Sequence, residues 1–291
     1  MIQGTATAIV TPFKANGEID AEGLKELVAF QESNGIDYIV PVGTTGESAT
    51  LSHAEHLQVI RIVMESVKRA KVIAGAGSNS TSEAIHLSKG AMDLGVHGIL
   101  SISPYYNKPT QTGLIKHYEA IAKAVDIPII VYNVPGRTAG NINPPTVLKL
   151  AETPNIVGIK EASGNMAQIM AILEKAPKGF SVMSGDDALT FPIMALGGKG
   201  VISVASNIIP DRVSSMVRHA LNGEWDEARK EHFRLLPLFN HLFIETNPIP
   251  VKTALRMMGK PAGSFRLPLC DMEPANQEIL RRTMVALGLI K

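Results

Sequence analysis

Lys160 is the residue whose surroundings constrain its chemistry most. It closes the run Asn155-Ile156-Val157-Gly158-Ile159. A buried strand here would carry the ammonium into an interior otherwise lined by branched apolar side chains, where an isolated charge is expensive. A free lysine titrates near pH ~10.4, so only about one in a few thousand is a neutral nucleophile at pH 7. Desolvation favours the neutral amine, the form that adds to a ketone and gives a Schiff base. Tyr132 stands near the end of another apolar run, Ile127 to Asn133, where its phenol can pass protons during addition and dehydration. The rival account is a lysine that has merely reached a polar rim, beside a tyrosine that is only a core aromatic.

Other reactive groups also stand where apolar runs end, in Gly43-Thr44-Thr45-Gly46-Glu47, Pro104-Tyr105-Tyr106-Asn107, Tyr132-Asn133-Val134-Pro135-Gly136-Arg137-Thr138 and Ser184-Gly185-Asp186-Asp187. Thr44 and Thr45 offer two hydroxyls and free backbone N–H groups suited to a carboxylate, or else they form only a tight turn. The spacing Gly-x-x-x-x-Gly-Lys-Ser/Thr is absent, and Gly197-Gly198-Lys199-Gly200 is too generic to assign to a phosphate. Arg137 can clamp a carboxylate bidentately, or it is a salt-bridged arginine at the rim. His53 and His56 would share a helix face. No His-Glu-x-x-His pattern or nearby Cys accompanies them, so no metal site is expected. Ser52 with Glu55 has the spacing of a capping box, and Ser80 with Glu83 repeats it.

These groups need elements to position them. Short Val- and Ile-rich runs alternate with amphipathic helical patterns, the signature of parallel strands buried on both faces. The runs are Thr5 to Phe13, Tyr38 to Gly43, Lys71 to Gly77, Gly98 to Tyr105, Ile127 to Asn133, Ile156 to Ala162, Phe180 to Asp186 and Gly200 to Ser206. Asp20 and Asp211 read as helix starts, Gly35 and Gly223 as stops, and Asn143-Pro144 as another start. Successive β-then-α units without a Pro-, Gly- or Ser-rich linker predict an α/β fold, a closed (β/α)8 TIM barrel, over residues 1–223. Three helical stripes follow, from Trp225 to Phe243, Val251 to Met258 and Ile279 to Leu287. They predict a C-terminal helical domain over 224–291, packed on the barrel. Barrel active sites lie at the C-terminal ends of the strands, where the reactive groups above fall.

The 291 residues are 45% hydrophobic and carry 28 Lys and Arg against 27 Asp and Glu. No block of like charge accompanies them, so nucleic acid and anionic membrane are not expected partners, and a small molecule is. No apolar run approaches the ~18 residues that span a bilayer. Met1 to Phe13 lacks the marks of a signal or transit peptide, so a cytoplasmic location is expected. The single cysteine, Cys270, beside Leu267 to Leu269, is read as ordinary packing.

Taken together, Gly43-Thr44-Thr45-Gly46-Glu47, Tyr132 to Thr138 and Gly158-Ile159-Lys160-Glu161-Ala162 closely resemble the dihydrodipicolinate synthase family. The likeness spans essentially the whole chain, including Asn247-Pro248-Ile249-Pro250-Val251-Lys252. The resemblance implies a Schiff base between Lys160 and pyruvate. It implies a proton relay of Tyr132, Thr44 and Tyr106, with Tyr106 reaching a neighbouring subunit's site. Thr45 would hold the pyruvate carboxylate, Ile202 would lie near the keto acid through its backbone, and Gly185 and Asp186 near the site opening. The implied second substrate is L-aspartate 4-semialdehyde, gripped by Arg137, on the diaminopimelate route to lysine. No cofactor is implied, because the protonated imine is itself the electron sink. The resemblance further implies a homotetramer, a dimer of dimers, and feedback inhibition by L-lysine held by Ser48, Ala49, His53, His56, Asn79, Glu83 and Tyr105. Gly136 departs from the Ser of many relatives, and a small residue is kept. Other pyruvate aldolases of the superfamily, such as N-acetylneuraminate lyase, and a non-catalytic barrel that senses a small amino acid are the competing readings.

Overall fold

The computed structural model describes all of residues 1–291. Eight parallel strands, β1 (Gly4–Ala8), β2 (Tyr38–Val40), β3 (Lys71–Gly75), β4 (Gly98–Ile102), β5 (Ile129–Asn133), β6 (Ile156–Glu161), β7 (Ser181–Ser184) and β8 (Gly200–Ser203), pair in chain order. The barrel closes where β8 pairs β1, with Ile202 opposite Ala6. Around it lie α1 (Ala21–Ser33), α2 (His53–Ser66), α3 (Thr81–Asp93), α4 (Gln111–Ala124), α5 (Pro135–Thr138), α6 (Pro144–Leu150), α7 (Met166–Lys175), α8 (Thr190–Ala195) and α9 (Pro210–Leu221). The C-terminal part adds α10 (Trp225–His241), α11 (Ile249–Met257) and α12 (Pro274–Ala286).

All eight expected runs contain a strand, and seven of them lose pairing before the apolar pattern ends. In Thr5 to Phe13 the strand stops at Ala8, yet Ile9, Val10 and Phe13 stay buried. Beyond Ala8 the chain runs under the C-terminal part, as the bridge from Phe13 to Gly263 shows, so burial outlasts the ladder. The side chains sort into two cores. Ala6, Ala8, Val40, Ile73, Leu100, Ile130, Met183 and Ile202 fill the barrel interior around Tyr132. A larger shell between strands and helices extends to Leu235, Phe239, Leu255 and Met284 of the C-terminal helices.

The helix punctuation follows in part. Asp20 caps α1 by accepting from Gly23 N at 3.0 Å, and Ser52 and Glu55 form both halves of the capping box on α2. Asp211 is not a cap: α9 begins at Pro210, whose fixed φ suits the first helical position, and Asp211 lies inside the first turn. Ser80 does not cap α3 either; its hydroxyl meets Ser82 Oγ at 3.0 Å, and Glu83 is engaged elsewhere. Cys270 is exposed, because the segment between α11 and α12 runs over the surface, where Leu267 is also exposed. No helix is long and apolar enough to cross a membrane.

Candidate active site

Strand alternation decides what Lys160 faces. Side chains along β6 point to opposite faces in turn. Glu161 points outward, where it accepts from Ser163 N at 2.7 Å and from Asn133 Nδ2 at 3.1 Å. Lys160 points inward and is 5% exposed. It sits directly across from Tyr132 in the β5–β6 ladder, its Nζ 4.3 Å from the centre of the phenol ring. Burial draws the amine down to about 8, Asp187 opposes that, and Arg137 adds to it. Burial also lifts the Tyr132 phenol to about 12, against the pull of Arg137 and a hydrogen bond with Thr44. A neutral phenol beside a lysine that titrates near neutrality is a workable proton-transfer pair. Gly185 lies against the lysine stem: a Cβ there would stand 3.0 Å from Lys160 Cε and 2.7 Å from Ala162 Cβ.

The two expected carboxylate-binding groups meet on one residue, Asn247, to which the sequence alone gives no role. Asn247 donates from Nδ2 to Thr45 Oγ1 at 3.0 Å, and its backbone carbonyl accepts from Arg137 Nη2 at 2.9 Å. Arg137 rides on the single turn α5, which Pro135 starts, and it is held by this carbonyl instead of by a rim carboxylate. The Thr44-Thr45 loop is a tight turn as well, with Gly46 N bonded to Gly43 O at 3.1 Å and Glu47 N to Thr44 O at 3.1 Å. The turn and carboxylate readings are therefore compatible. Thr44, Thr45, Tyr132, Arg137, Lys160, Gly185 and Asp186 all line one cavity of about 750 Å³, a volume suited to a small-molecule site. Phe239 to Asn247 supply one of its walls, so the C-terminal helices complete the site.

Two of the residues expected to serve catalysis or substrate binding do not line this cavity. Tyr106 is 90% exposed and holds a left-handed φ of 70°, a conformation uncommon outside glycine. Ile202 sits in the interior cluster on β8.

With the geometry in place, a model of the Dihydrodipicolinate synthetase family matches residues 1–287. The chain belongs to that family. It is 56% identical over 292 residues to a 4-hydroxy-tetrahydrodipicolinate synthase of Syntrophobacter fumaroxidans, with 100% of each chain covered. It is also similar to the solved dihydrodipicolinate synthase of Cyanidioschyzon merolae with lysine bound, at 47% identity and TM-score 0.97, covering 99% of each chain. The chloride-inhibited dihydrodipicolinate synthase of Acinetobacter baumannii complexed with pyruvate gives 45% identity and TM-score 0.97, covering 100% of each.

The seven residues that the family resemblance groups around lysine lie outside the cavity. Several are joined by hydrogen bonds. Glu83 meets His53 Nε2 at 2.5 Å and also accepts from Ser78 Oγ, which holds its carboxyl below the usual range. Asn79 donates to the backbone carbonyl of Tyr105 at 3.1 Å, so the tyrosine hydroxyl is not its partner. His53 and His56 both act on the Glu83 carboxylate but differ in burial and in hydrogen-bond partner. His53 is half exposed, while His56 is buried, bonded to Gly75 O at 2.7 Å and lowered in pKa by desolvation. Ser48 and Ala49 form a 3₁₀ turn after Glu47. Asp187, quoted at a strand end but given no role, is buried and accepts from Val204 N and Ala205 N at 3.0 Å.

Proposed function

We propose that this chain condenses pyruvate with L-aspartate 4-semialdehyde through a Schiff base on Lys160, a 4-hydroxy-tetrahydrodipicolinate synthase activity on the diaminopimelate route to lysine. The observation that carries this is the inward Lys160, its amine drawn to about 8 by burial, facing Tyr132 in a cavity whose wall holds Thr45 and Arg137. The neutral amine adds to the ketone carbon of pyruvate, and the carbinolamine loses water through the phenol of Tyr132 and the hydroxyl of Thr44. A methyl proton then leaves, and the imine becomes an enamine. The enamine carbon attacks the aldehyde of the second substrate, forming the new C–C bond. That substrate's amine finally displaces Lys160 and closes the ring. Thr45 and the adjacent backbone hold the pyruvate carboxylate, with Gly185 giving the lysine room and the backbone carbonyl of Ile202 near the keto acid. Arg137 grips the carboxylate of the semialdehyde. No cofactor is assigned a role, since the protonated imine accepts the electrons.

The same reading divides the chain into a barrel over 1–223 and a helical part over 224–291 and places it in the cytoplasm. It makes the assembly a homotetramer of two dimers. The exposed Tyr106 supports this, because an aromatic held outward in a strained backbone conformation suits a role in a neighbouring subunit's relay. The two bonded pairs, His53 with Glu83 and Asn79 with Tyr105, are read as part of the seat of lysine, with Glu83 as the anion for its amines. Borohydride added with pyruvate should leave a reduced adduct on Lys160 and abolish turnover. A label mapped to another lysine, or none, would sink the mechanism.

A further inference from the structure

Lys252 and Glu47 form an ion pair in which both side chains are 0% exposed, the only such pair in the chain. A buried pair adds little net stability over an apolar pair of equal volume, so its presence asks for a geometric reason. The three donors of the ammonium each find an oxygen: Glu47 Oε1 at 2.6 Å, Ser264 O at 2.7 Å and Thr11 O at 3.1 Å. Phe13 and Phe265 flank it, their ring centres 4.8 Å and 4.9 Å away. Of the oxygens on the barrel side, that of Glu47 belongs to the turn that carries Thr44 and Thr45, and that of Thr11 to the segment that follows β1. Glu47 ends that turn with a left-handed φ of 54°, a conformation that a residue with a Cβ keeps only when its surroundings impose it. Thr11 hydrogen-bonds the same turn, its hydroxyl donating to Gly46 O at 2.7 Å. The ammonium therefore grips one end of the turn directly and, through Thr11, the residue before it. Asn247, just before the helix that carries Lys252, donates to Thr45 in the middle.

We propose that Lys252 and Glu47 are positioning residues, their buried pair fixing the Thr44-Thr45 turn from the C-terminal helices in the shape that receives a keto-acid carboxylate. Neither residue lines the cavity, so the pair acts through the turn and not on the substrate. The proposal rests on the reading of that turn given under Proposed function, and it adds a determinant from outside the site.

Two variants test it: the paired replacement Glu47→Gln with Lys252→Met, which removes both charges while keeping volume, and Glu47→Gln alone, which keeps an acceptor for the lysine. Wild-type protein treated with pyruvate and borohydride is the reference. Failure to label Lys160 there rejects the reading of the site itself, whatever the pair does. With wild type labelled, the variants should melt cooperatively near the wild-type temperature. Their kcat/KM for pyruvate should fall about tenfold to a hundredfold, the cost of a small misplacement, with slower labelling of Lys160. Their kcat/KM for the aldehyde partner should stay within about twofold, because Arg137 is not on this turn. A pyruvate kcat/KM within about twofold of wild type in a folded variant overturns the proposal. Equal losses for both substrates would also overturn it, as would failure of both variants to fold, since the pair would then serve the whole structure and not the turn.

Discussion

Replacing Lys160 with Met should stabilise the chain while removing its chemistry. Met fills a similar volume and carries no charge, so the substitution relieves the desolvation of the ammonium without opening a large cavity. Burial moves the lysine from 10.5 to about 8. At about 1.36 kcal/mol per pH unit, that gap makes the charged lysine cost about 3 kcal/mol of folding stability at pH 7. The folded chain holds the proton less tightly than the unfolded chain. The penalty is therefore fully present below about pH 8, declines as the pH rises from there, and vanishes above about pH 10.5. At pH 9.5 about 1 kcal/mol should remain. Guanidinium unfolding of both proteins, at one protein concentration and at pH 7 and 9.5, measures the difference directly. The variant should be the more stable at pH 7, by an amount that falls by more than half at pH 9.5. A gap that does not change with pH, or a variant less stable than wild type at pH 7, would refute the picture of a desolvated cation inside the barrel.

Gly185→Ala should leave the fold intact but cut imine formation, because the new methyl group would stand 3.0 Å from Lys160 Cε; undiminished borohydride labelling would remove Gly185 from the site. Arg137→Ala should weaken use of aspartate semialdehyde by about tenfold to a hundredfold, the worth of one charged hydrogen-bonding partner, and leave pyruvate labelling nearly unchanged. Equal damage to both half-reactions would make Arg137 structural. The rate of imine formation should climb with pH as the amine deprotonates and flatten above about 8, so a profile still rising past pH 10 would contradict the buried lysine. Glu83→Gln should abolish lysine binding measured by calorimetry while turnover persists; millimolar lysine that neither binds nor inhibits wild type would dismiss the regulatory site.

Much of the barrel and the centre of its site could be read along the chain, because both follow from local alternation. Strands buried on both faces need runs of Val and Ile, and a polar residue at the end of such a run has to emerge at the strand's C-terminal end. Lys160, Tyr132, Thr44 and Arg137 were legible for that reason. Local spacing also misled. Ser80 and Glu83 have the separation of a capping box, but Ser78 and His53 bind the carboxylate instead. The left-handed φ of Tyr106 has no signal in its own residue type.

What the chain alone determined was the order and kind of its elements and the amine that would be buried. These depend on neighbours two to four positions apart. Only the tertiary structure decided which groups surround that amine. Asn247 reaches Thr45 across 202 positions, Lys252 reaches Glu47 across 205, and Phe239 to Asn247 close the cavity from the end of one helical stripe and the connection to the next. Such contacts are set by where the C-terminal helices come to rest over the barrel mouth, and a pattern of residue types along the chain carries no record of that placement.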